Sequence, residues 1–97
     1  MERLLRSNVL EERIRAVPDF PRAGIVFRDI TPLLNDSAAL ALAVDALAAP
    51  FVRSNVTCVA GMEARGFILG ALVARFLEVG FVPLRKPGKL PHASFSV

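Results

Sequence analysis

The residues best placed to do chemistry lie in a short, glycine-bracketed segment at positions 61–66. The segment reads Gly-Met-Glu-Ala-Arg-Gly and follows a β-branched apolar run. A strand that enters such a loop at the start of a helix can direct several backbone N–H groups at one anion. Arg65 adds a fixed positive charge whose planar fork matches phosphate oxygens. The segment therefore indicates a phosphate site, although an ordinary strand–turn–helix connection with a surface arginine has the same pattern.

A second group of cations lies near the end of the chain. Arg85, Lys86 and Lys89 flank the turn-forming pair Pro87 and Gly88. Residues 1–78 carry nine basic and nine acidic side chains, so the net charge of +3 lies entirely in the segment that follows. A nucleic-acid-binding protein would normally show a wider basic face, so three cations predict a small anion such as pyrophosphate. A solvated basic end is the alternative interpretation.

The third feature is an extended strip at residues 20–30, bounded by proline and glycine, with Phe27 in its middle. Backbone donors and acceptors next to an aromatic ring suit a flat heterocycle. The alternative is that Phe27 is an ordinary core residue. No nucleophile–base pair is evident elsewhere, and His92, the one histidine, lies in the C-terminal tail.

The apolar periodicity predicts the elements that must position these residues. They are helix 2–17, helix 37–53, strand 56–60, helix 65–78 and strand 81–84. Asp36 or Ser37 is expected to cap the second helix, and Gly80 to end the third. Cys58 is expected to be a small core residue of its strand, and Pro83 to lie in an edge or irregular strand.

Strand, helix and strand within about thirty residues form a βαβ unit, which predicts an α/β fold with parallel strands. Loops 61–66 and 85–89 both follow strands, so they open on the same edge of the sheet. Arg65, Arg85 and Lys86 can then face one pocket.

Size and composition limit the class of protein. A chain of 97 residues supports one small domain, and 54% hydrophobic residues is more than so small a domain hides easily. We therefore expect it to oligomerise or to belong to something larger. The sequence shows no signal peptide and no apolar run long enough to span a membrane, which predicts a cytoplasmic protein without a membrane partner.

Three motifs in register resemble the adenine phosphoribosyltransferases of purine salvage. They are Pro18–Pro21 with Gly24–Pro32, Gly61–Phe67 and Arg85–Pro91. The resemblance covers roughly residues 13–91 and implies a partial type I phosphoribosyltransferase fold. It implies an N-terminal helix and base-binding hood strip in residues 1–35, a core α-β-α-β segment in 36–91 and a tail in 92–97.

The resemblance also implies roles for individual residues. Adenine is expected to stack on Phe27 and to be read by main-chain groups of Val26 and Arg28. The loop Glu63-Ala64-Arg65 is expected to bind the pyrophosphate of phosphoribosyl pyrophosphate, with a cis peptide between its first two residues. The matching cations assist there, the first of them often from a partner subunit; they are Arg85, Lys86 and Lys89.

The implied reaction converts adenine and phosphoribosyl pyrophosphate to AMP and pyrophosphate, with Mg²⁺ carried by the pyrophosphate substrate and a homodimer as the complete protein. Family members continue into a second half that holds the ribose phosphate and the proton-transfer residue. Nothing after Pro91 matches that half, so no catalytic residue is assigned and the chain is expected to be inactive alone. The alternative is a non-catalytic module that pairs with full-length subunits or binds adenine nucleotides weakly.

Overall fold

The computed structural model describes residues 8–87. A helical segment, α1 (8–12), is followed by the remaining elements in chain order. These are β1 (Arg15–Pro18), β2 (Val26–Asp29), α2 (Thr31–Leu34), α3 (Ser37–Ala48), a 3₁₀ turn (Ala49–Phe51), β3 (Cys58–Met62), α4 (Arg65–Leu77) and β4 (Gly80–Leu84). The chain divides into two compact units, Met1–Ala46 and Leu47–Val97. Lys89 and the tail at 92–97 lie outside the described residues.

The first unit contains an antiparallel pair of strands that the periodicity did not predict. β1 pairs with β2 in the register Arg15↔Asp29 to Pro18↔Val26. The prediction of helix as far as residue 17 was therefore wrong: the helical backbone ends at 12. Ladder hydrogen bonds to β2, together with an ion pair between Arg15 and Asp29, hold these residues extended despite their helical spacing.

A tight connection links the two strands. Asp19 adopts φ 55° and Gly24 adopts φ 85°, and the Phe20–Pro21 peptide is cis. The Gly24 N–H donates to Asp19 Oδ1 at 3.0 Å, and the Phe20 N–H donates to the Ile25 carbonyl at 3.1 Å. These bonds fix the place at which β2 begins, and with it the position of Phe27.

Asp36 caps α3, which confirms one of the two predicted alternatives, Asp36 and Ser37. Its Oδ1 accepts from the Ala39 N–H at 3.1 Å, and its Oδ2 accepts from Arg13 Nε at 2.7 Å. The Arg13 hydrogen bond, followed by the Ala39 N–H, holds the pKa of this carboxyl below its usual range. The helix ends earlier than the predicted residue 53, because Pro50 has no N–H to continue it and the next turn is 3₁₀.

The second unit is the predicted parallel β-α-β arrangement. β3 and β4 pair from Cys58↔Gly80 to Met62↔Leu84, and α4 packs against both strands. The prediction that Gly80 ends α4 was wrong, because Gly80 is the first residue of β4. Glu78 takes the left-handed position instead, at φ 59°.

Side chains alternate across β3 in their exposure. Val59 and Gly61 are half-buried, whereas Cys58, Ala60 and Met62 are exposed. The expectation that Cys58 belongs to the core was therefore wrong, because α4 covers the face of the strand that holds Gly61. No helix within residues 8–87 is long and apolar enough to cross a membrane.

Candidate functional site

The loop between β3 and α4 is closed by two glycines in contact. A Cβ on Gly61 would lie 2.3 Å from the carbonyl oxygen of Gly66 and 2.9 Å from the ring of Phe81. A Cβ on Gly66 would in turn lie 3.3 Å from the carbonyl carbon of Gly61. Only hydrogen fits between the end of the strand and the first turn of the helix. The residues between, 62–65, are therefore held in a narrow projecting loop.

Phe81 fixes the helix above this loop. Its ring lies against Gly70, where an added Cβ would be 2.5 Å from the ring edge. It also meets Phe67 edge-on, with ring centroids 6.2 Å apart. These contacts set how closely α4 approaches β4, and so where the helix begins.

The start of α4 offers backbone donors. The helix begins at Arg65, and its N-cap residue, Ala64, makes no side-chain cap hydrogen bond. N–H groups of a first helical turn that lack an intrahelical acceptor favour an anion. The peptide between Glu63 and Ala64 is cis, as the resemblance implied.

A cavity of about 370 Å³ opens where β3 and β4 end, and Arg65, which was predicted to face one pocket with Arg85 and Lys86, is not among the residues that line it. It is lined by Met62, Glu63, Leu84, Arg85, Lys86 and Pro87. The structure thus brings together Glu63, Arg85 and Lys86, while Ala64 and Arg65 continue the same loop into α4. The sequence analysis did not identify the apolar residues that line this cavity, Met62, Leu84 and Pro87. Their positions at or close to the ends of the two predicted strands could have indicated them. We call this cavity the anion pocket.

Within the anion pocket Arg85 and Glu63 form an ion pair. Arg85 donates to Glu63 Oε2 from Nη2 at 2.9 Å and from Nε at 3.2 Å. Both side chains are 34% exposed, so solvent reaches the pair. The sequence indicated both residues as pyrophosphate ligands and did not indicate their contact with each other.

The residues predicted to bind adenine lie together on β2 in the first unit. Val26 is 52% exposed, Phe27 is half-buried and Arg28 is exposed. Phe27 is therefore no member of the small buried core. Its ring meets that of Phe20 edge-on, with centroids 5.4 Å apart and planes at 72°. Phe20 was missed as a neighbour of the site, although it opens the same proline-bounded strip.

Asp29, at the end of β2, is a structural residue. Its Oδ1 accepts from the Thr31 hydroxyl at 2.6 Å and from the Thr31 N–H at 2.9 Å, and its Oδ2 accepts from Arg15. These bonds, the Thr31 hydroxyl first, hold the pKa of its carboxyl far below the usual range. Asp29 thereby joins the end of β2 to β1 and to the start of α2. Among residues 8–87 no group of three or more His, Cys, Asp or Glu side chains is placed to hold a metal ion.

Known proteins resemble this chain closely in sequence. It is 66% identical over 83 residues to the adenine phosphoribosyltransferase of Methylococcus capsulatus, covering 86% of this chain and 48% of the relative. It is 57% identical over 90 residues to that of a Methylobacterium species, covering 93% and 50%. The chain therefore spans about half the length of the curated relatives it matches. No family model matches it.

Solved structures agree with these relatives. The adenine phosphoribosyltransferase of Rhodothermus marinus superposes with a TM-score of 0.86 at 49% identity, over 95% of this chain and 52% of that one. The Saccharomyces cerevisiae enzyme, solved with an imino-altritol bisphosphate and adenine, superposes with a TM-score of 0.85 at 34% identity, over 95% and 57%. The likeness extends over both units described above.

Proposed function

We infer that this chain, which belongs to the adenine phosphoribosyltransferase family, supplies the adenine-binding strip and the pyrophosphate-binding edge of such an enzyme. The proposed reaction of the whole protein joins adenine to the phosphoribosyl group of phosphoribosyl pyrophosphate, yielding AMP and pyrophosphate. The observation that carries the proposal is the anion pocket, in which Arg85 and Lys86 lie at the edge of the sheet from which the loop to α4 projects.

The pyrophosphate is the leaving group, so negative charge grows on it as its bond to the ribose breaks. Groups held in place beforehand stabilise that charge best, because they need no reorganisation during the reaction. Lys86 provides a cation in the pocket, Arg85 is proposed to provide one to the neighbouring subunit's site, and the first turn of α4, which begins at Arg65, provides N–H donors. Lys89, outside the described residues, is proposed to assist. Mg²⁺ would enter as part of the substrate, bound by its phosphate oxygens.

The strip on β2 is proposed to take the base. The ring of Phe27 offers a face of the right size for a purine, and main-chain groups of Val26 and Arg28 would read its polar edge. The Saccharomyces cerevisiae relative was solved with adenine, and the Giardia lamblia relative, 44% identical, with 9-deazaadenine. Both support a purine as a ligand of this chain, and its place on the β2 strip is part of the proposal.

The remaining parts of the reaction are assigned to residues beyond these 97. Ribose-phosphate binding and proton transfer would come from the half of the relatives that this chain does not match. With the activity we propose a homodimer in which Arg85 serves the neighbouring site, and a cytoplasmic location. A second candidate is a non-catalytic module that associates with full-length subunits. The exposure of large apolar side chains such as Met62, at 70%, favours it.

The test compares binding with turnover. We expect the purified chain to bind magnesium pyrophosphate in calorimetry but to convert no labelled adenine to AMP. Arg65→Ala should weaken pyrophosphate binding roughly tenfold or more, since a charge-assisted contact to phosphate is lost. Arg75→Ala is the matched control: it removes an exposed arginine from the opposite end of α4 and should change nothing. Measurable turnover would overturn the proposed inactivity, and an Arg65→Ala variant that binds normally would overturn the site.

A further inference from the structure

The carboxylate of Asp29, at the end of β2, accepts hydrogen bonds from four donor atoms of two other residues. Its Oδ1 binds the Thr31 hydroxyl at 2.6 Å and the Thr31 N–H at 2.9 Å. Its Oδ2 binds Arg15 Nε at 3.1 Å and also Arg15 Nη2. The Asp29 side chain is only 18% exposed, whereas that of Arg15 is 61% exposed. Asp29 therefore differs from a solvated surface charge.

The two partners of Asp29 belong to different elements. Arg15 lies directly opposite Asp29 on β1, and Thr31 is the first residue of α2. The N-cap residue of α2, Ile30, makes no side-chain cap hydrogen bond. Asp29 supplies the acceptor that the first N–H of this helix would otherwise lack. One carboxylate thus ties the end of β2 to the neighbouring strand and to the helix that follows.

The strip that is proposed to read adenine needs a fixed end of this kind. Hydrogen bonds are best formed within a narrow range of distance, and a main-chain group has no rotamer with which to correct its position. β2 spans four residues and, within residues 8–87, pairs with a single strand. Because a two-stranded pair is marginally stable by itself in water, contacts beyond the ladder must hold β2 in place.

Asp29 is well placed to provide those contacts. Phe27 and Asp29 are half-buried and Val26 and Arg28 are exposed, as alternation along a strand requires. Asp29 therefore lies on the same face of β2 as the ring that is proposed to stack on the base. It also adjoins Arg28, whose main chain is proposed to read the base. A shift of Asp29 would displace both groups.

We propose that Asp29 is the positioning residue of the adenine-binding strip: through Arg15 and Thr31 it fixes the main chain of residues 26–28 where the base is read. The proposal rests on the function inferred above, since it takes this strip to bind adenine. Asp29 touches no substrate in this role and acts through the backbone of β2. Both carboxylate oxygens are needed, because an amide in its place would turn an N–H₂ group toward the donors of Arg15 or of Thr31.

The test compares two ligands on the 97-residue chain, adenine and magnesium pyrophosphate, by calorimetry. Asp29→Asn keeps the size of the side chain and removes its charge. We expect it to weaken adenine binding roughly tenfold or more, the factor that the loss of one charge-assisted hydrogen bond represents. Pyrophosphate binding, which is assigned to the second unit, should stay unchanged. Asp45→Asn makes the same chemical change on α3, outside this network, and should alter neither affinity.

Two variants of Thr31 separate positioning from packing. Thr31→Val removes the hydroxyl but keeps the branched shape and the backbone N–H, and should weaken adenine binding roughly three- to tenfold. Thr31→Ser keeps the hydroxyl and loses the methyl group, so it should bind adenine as the parent does. A serine variant as weak as the valine variant would make packing at Thr31 the cause and would overturn the proposal.

The remaining outcomes distinguish the two levels of the argument. An Asp29→Asn variant that keeps its circular dichroism spectrum and binds adenine normally would overturn the positioning role alone. An equal loss of adenine and pyrophosphate binding would show a general loss of structure and would overturn it too. If Asp29→Asn does not fold, the two Thr31 variants decide. Absence of adenine binding in the parent chain would overturn the adenine strip, and the role of Asp29 with it.

Discussion

At the scale of single residues, Gly61 has the least room for a side chain among the glycines of residues 8–87. Its Cα faces the carbonyl oxygen of Gly66 on one side and the Phe81 ring on another. Neither neighbour is the free end of a flexible side chain, because one is backbone and the other also lies against Gly70. A methyl group at Gly61 must therefore push the strand and the helix apart.

We predict that Gly61→Ala destabilises the fold by about 1–3 kcal/mol, as overpacking in a close contact does, and widens the loop enough to abolish pyrophosphate binding. Urea unfolding gives the first quantity and calorimetry the second. Gly80→Ala is the matched control, since it lies on the paired strand with nothing within 4 Å of an added Cβ. Equal stabilities for the two variants would contradict the tight contact at Gly61.

In the first unit, the aromatic rings of Phe20 and Phe27 contact each other. The edge of Phe20 lies against Phe27 at 5.4 Å between centroids, and Phe20 itself is 51% exposed. This edge-to-face contact favours one orientation of the Phe27 ring, which is proposed to stack on adenine.

At the scale of elements, α4 ends in a conformation that its sequence does not favour. Glu78 adopts φ 59°, its N–H donates to the Arg75 carbonyl at 3.2 Å, and the Val79 N–H donates to the Ala74 carbonyl at 2.9 Å. This is the arrangement of a glycine-type helix stop. The nearby glycine, Gly80, lies two residues further along the chain, where it pairs with Cys58 in the sheet.

Glu78→Gly should therefore stabilise the chain by about 1 kcal/mol, because glycine adopts the left-handed region without the steric cost that Cβ imposes. The expected result is a higher Tm in thermal unfolding followed by circular dichroism. Glu78→Gln removes the same charge and keeps Cβ, so it should show no such gain. A fall in Tm for Glu78→Gly would mean that the gain in flexibility of the unfolded chain outweighs the strain relieved.

Elements were predictable where their signal is local. Helix α4 and the two strands that flank it were found from periodicity, and the cap at Asp36 from residue type, because each depends on neighbours within a few residues. β1 was not predicted, since residues 15–18 continue a helical spacing and become a strand only by pairing with β2. The strand predicted at 56–60 is shifted along the chain, because β3 spans Cys58–Met62 and its pairing with β4 begins at Cys58↔Gly80.

At the scale of the whole molecule, the described residues bury little. Within residues 8–87 six apolar residues are buried, three in each unit and half of them alanine: Leu33, Ala39 and Val44 in the first, and Ala48, Val73 and Ala74 in the second. Larger apolar side chains remain exposed, among them Phe51, Met62 and Phe76. The relatives are about twice as long as this chain. So much exposed apolar surface favours further association.

We predict that the isolated 97-residue chain is marginally stable and self-associates at micromolar concentration, because exposed apolar side chains gain by contact with each other. Sedimentation velocity across a concentration series would show species larger than the monomer. Met62→Lys places a charge on the most exposed of these side chains and should reduce the association. A monomer with one cooperative thermal transition would contradict the prediction.

The sequence by itself indicated the family, the order of the elements from α3 to β4 and three of the residues that line the pocket, Glu63, Arg85 and Lys86. It could do so because the motifs around Phe27, Arg65 and Arg85 are local strings whose chemistry depends on neighbouring residues. The tertiary structure decided the contacts between distant positions: Gly61 against Gly66 and Phe81, β1 against β2, and Glu63 against Arg85. These depend on strand register and helix approach, which arise only when the whole unit packs. The cation that the sequence predicted to be a phosphate ligand is thus paired in the folded chain with a carboxylate 22 residues away.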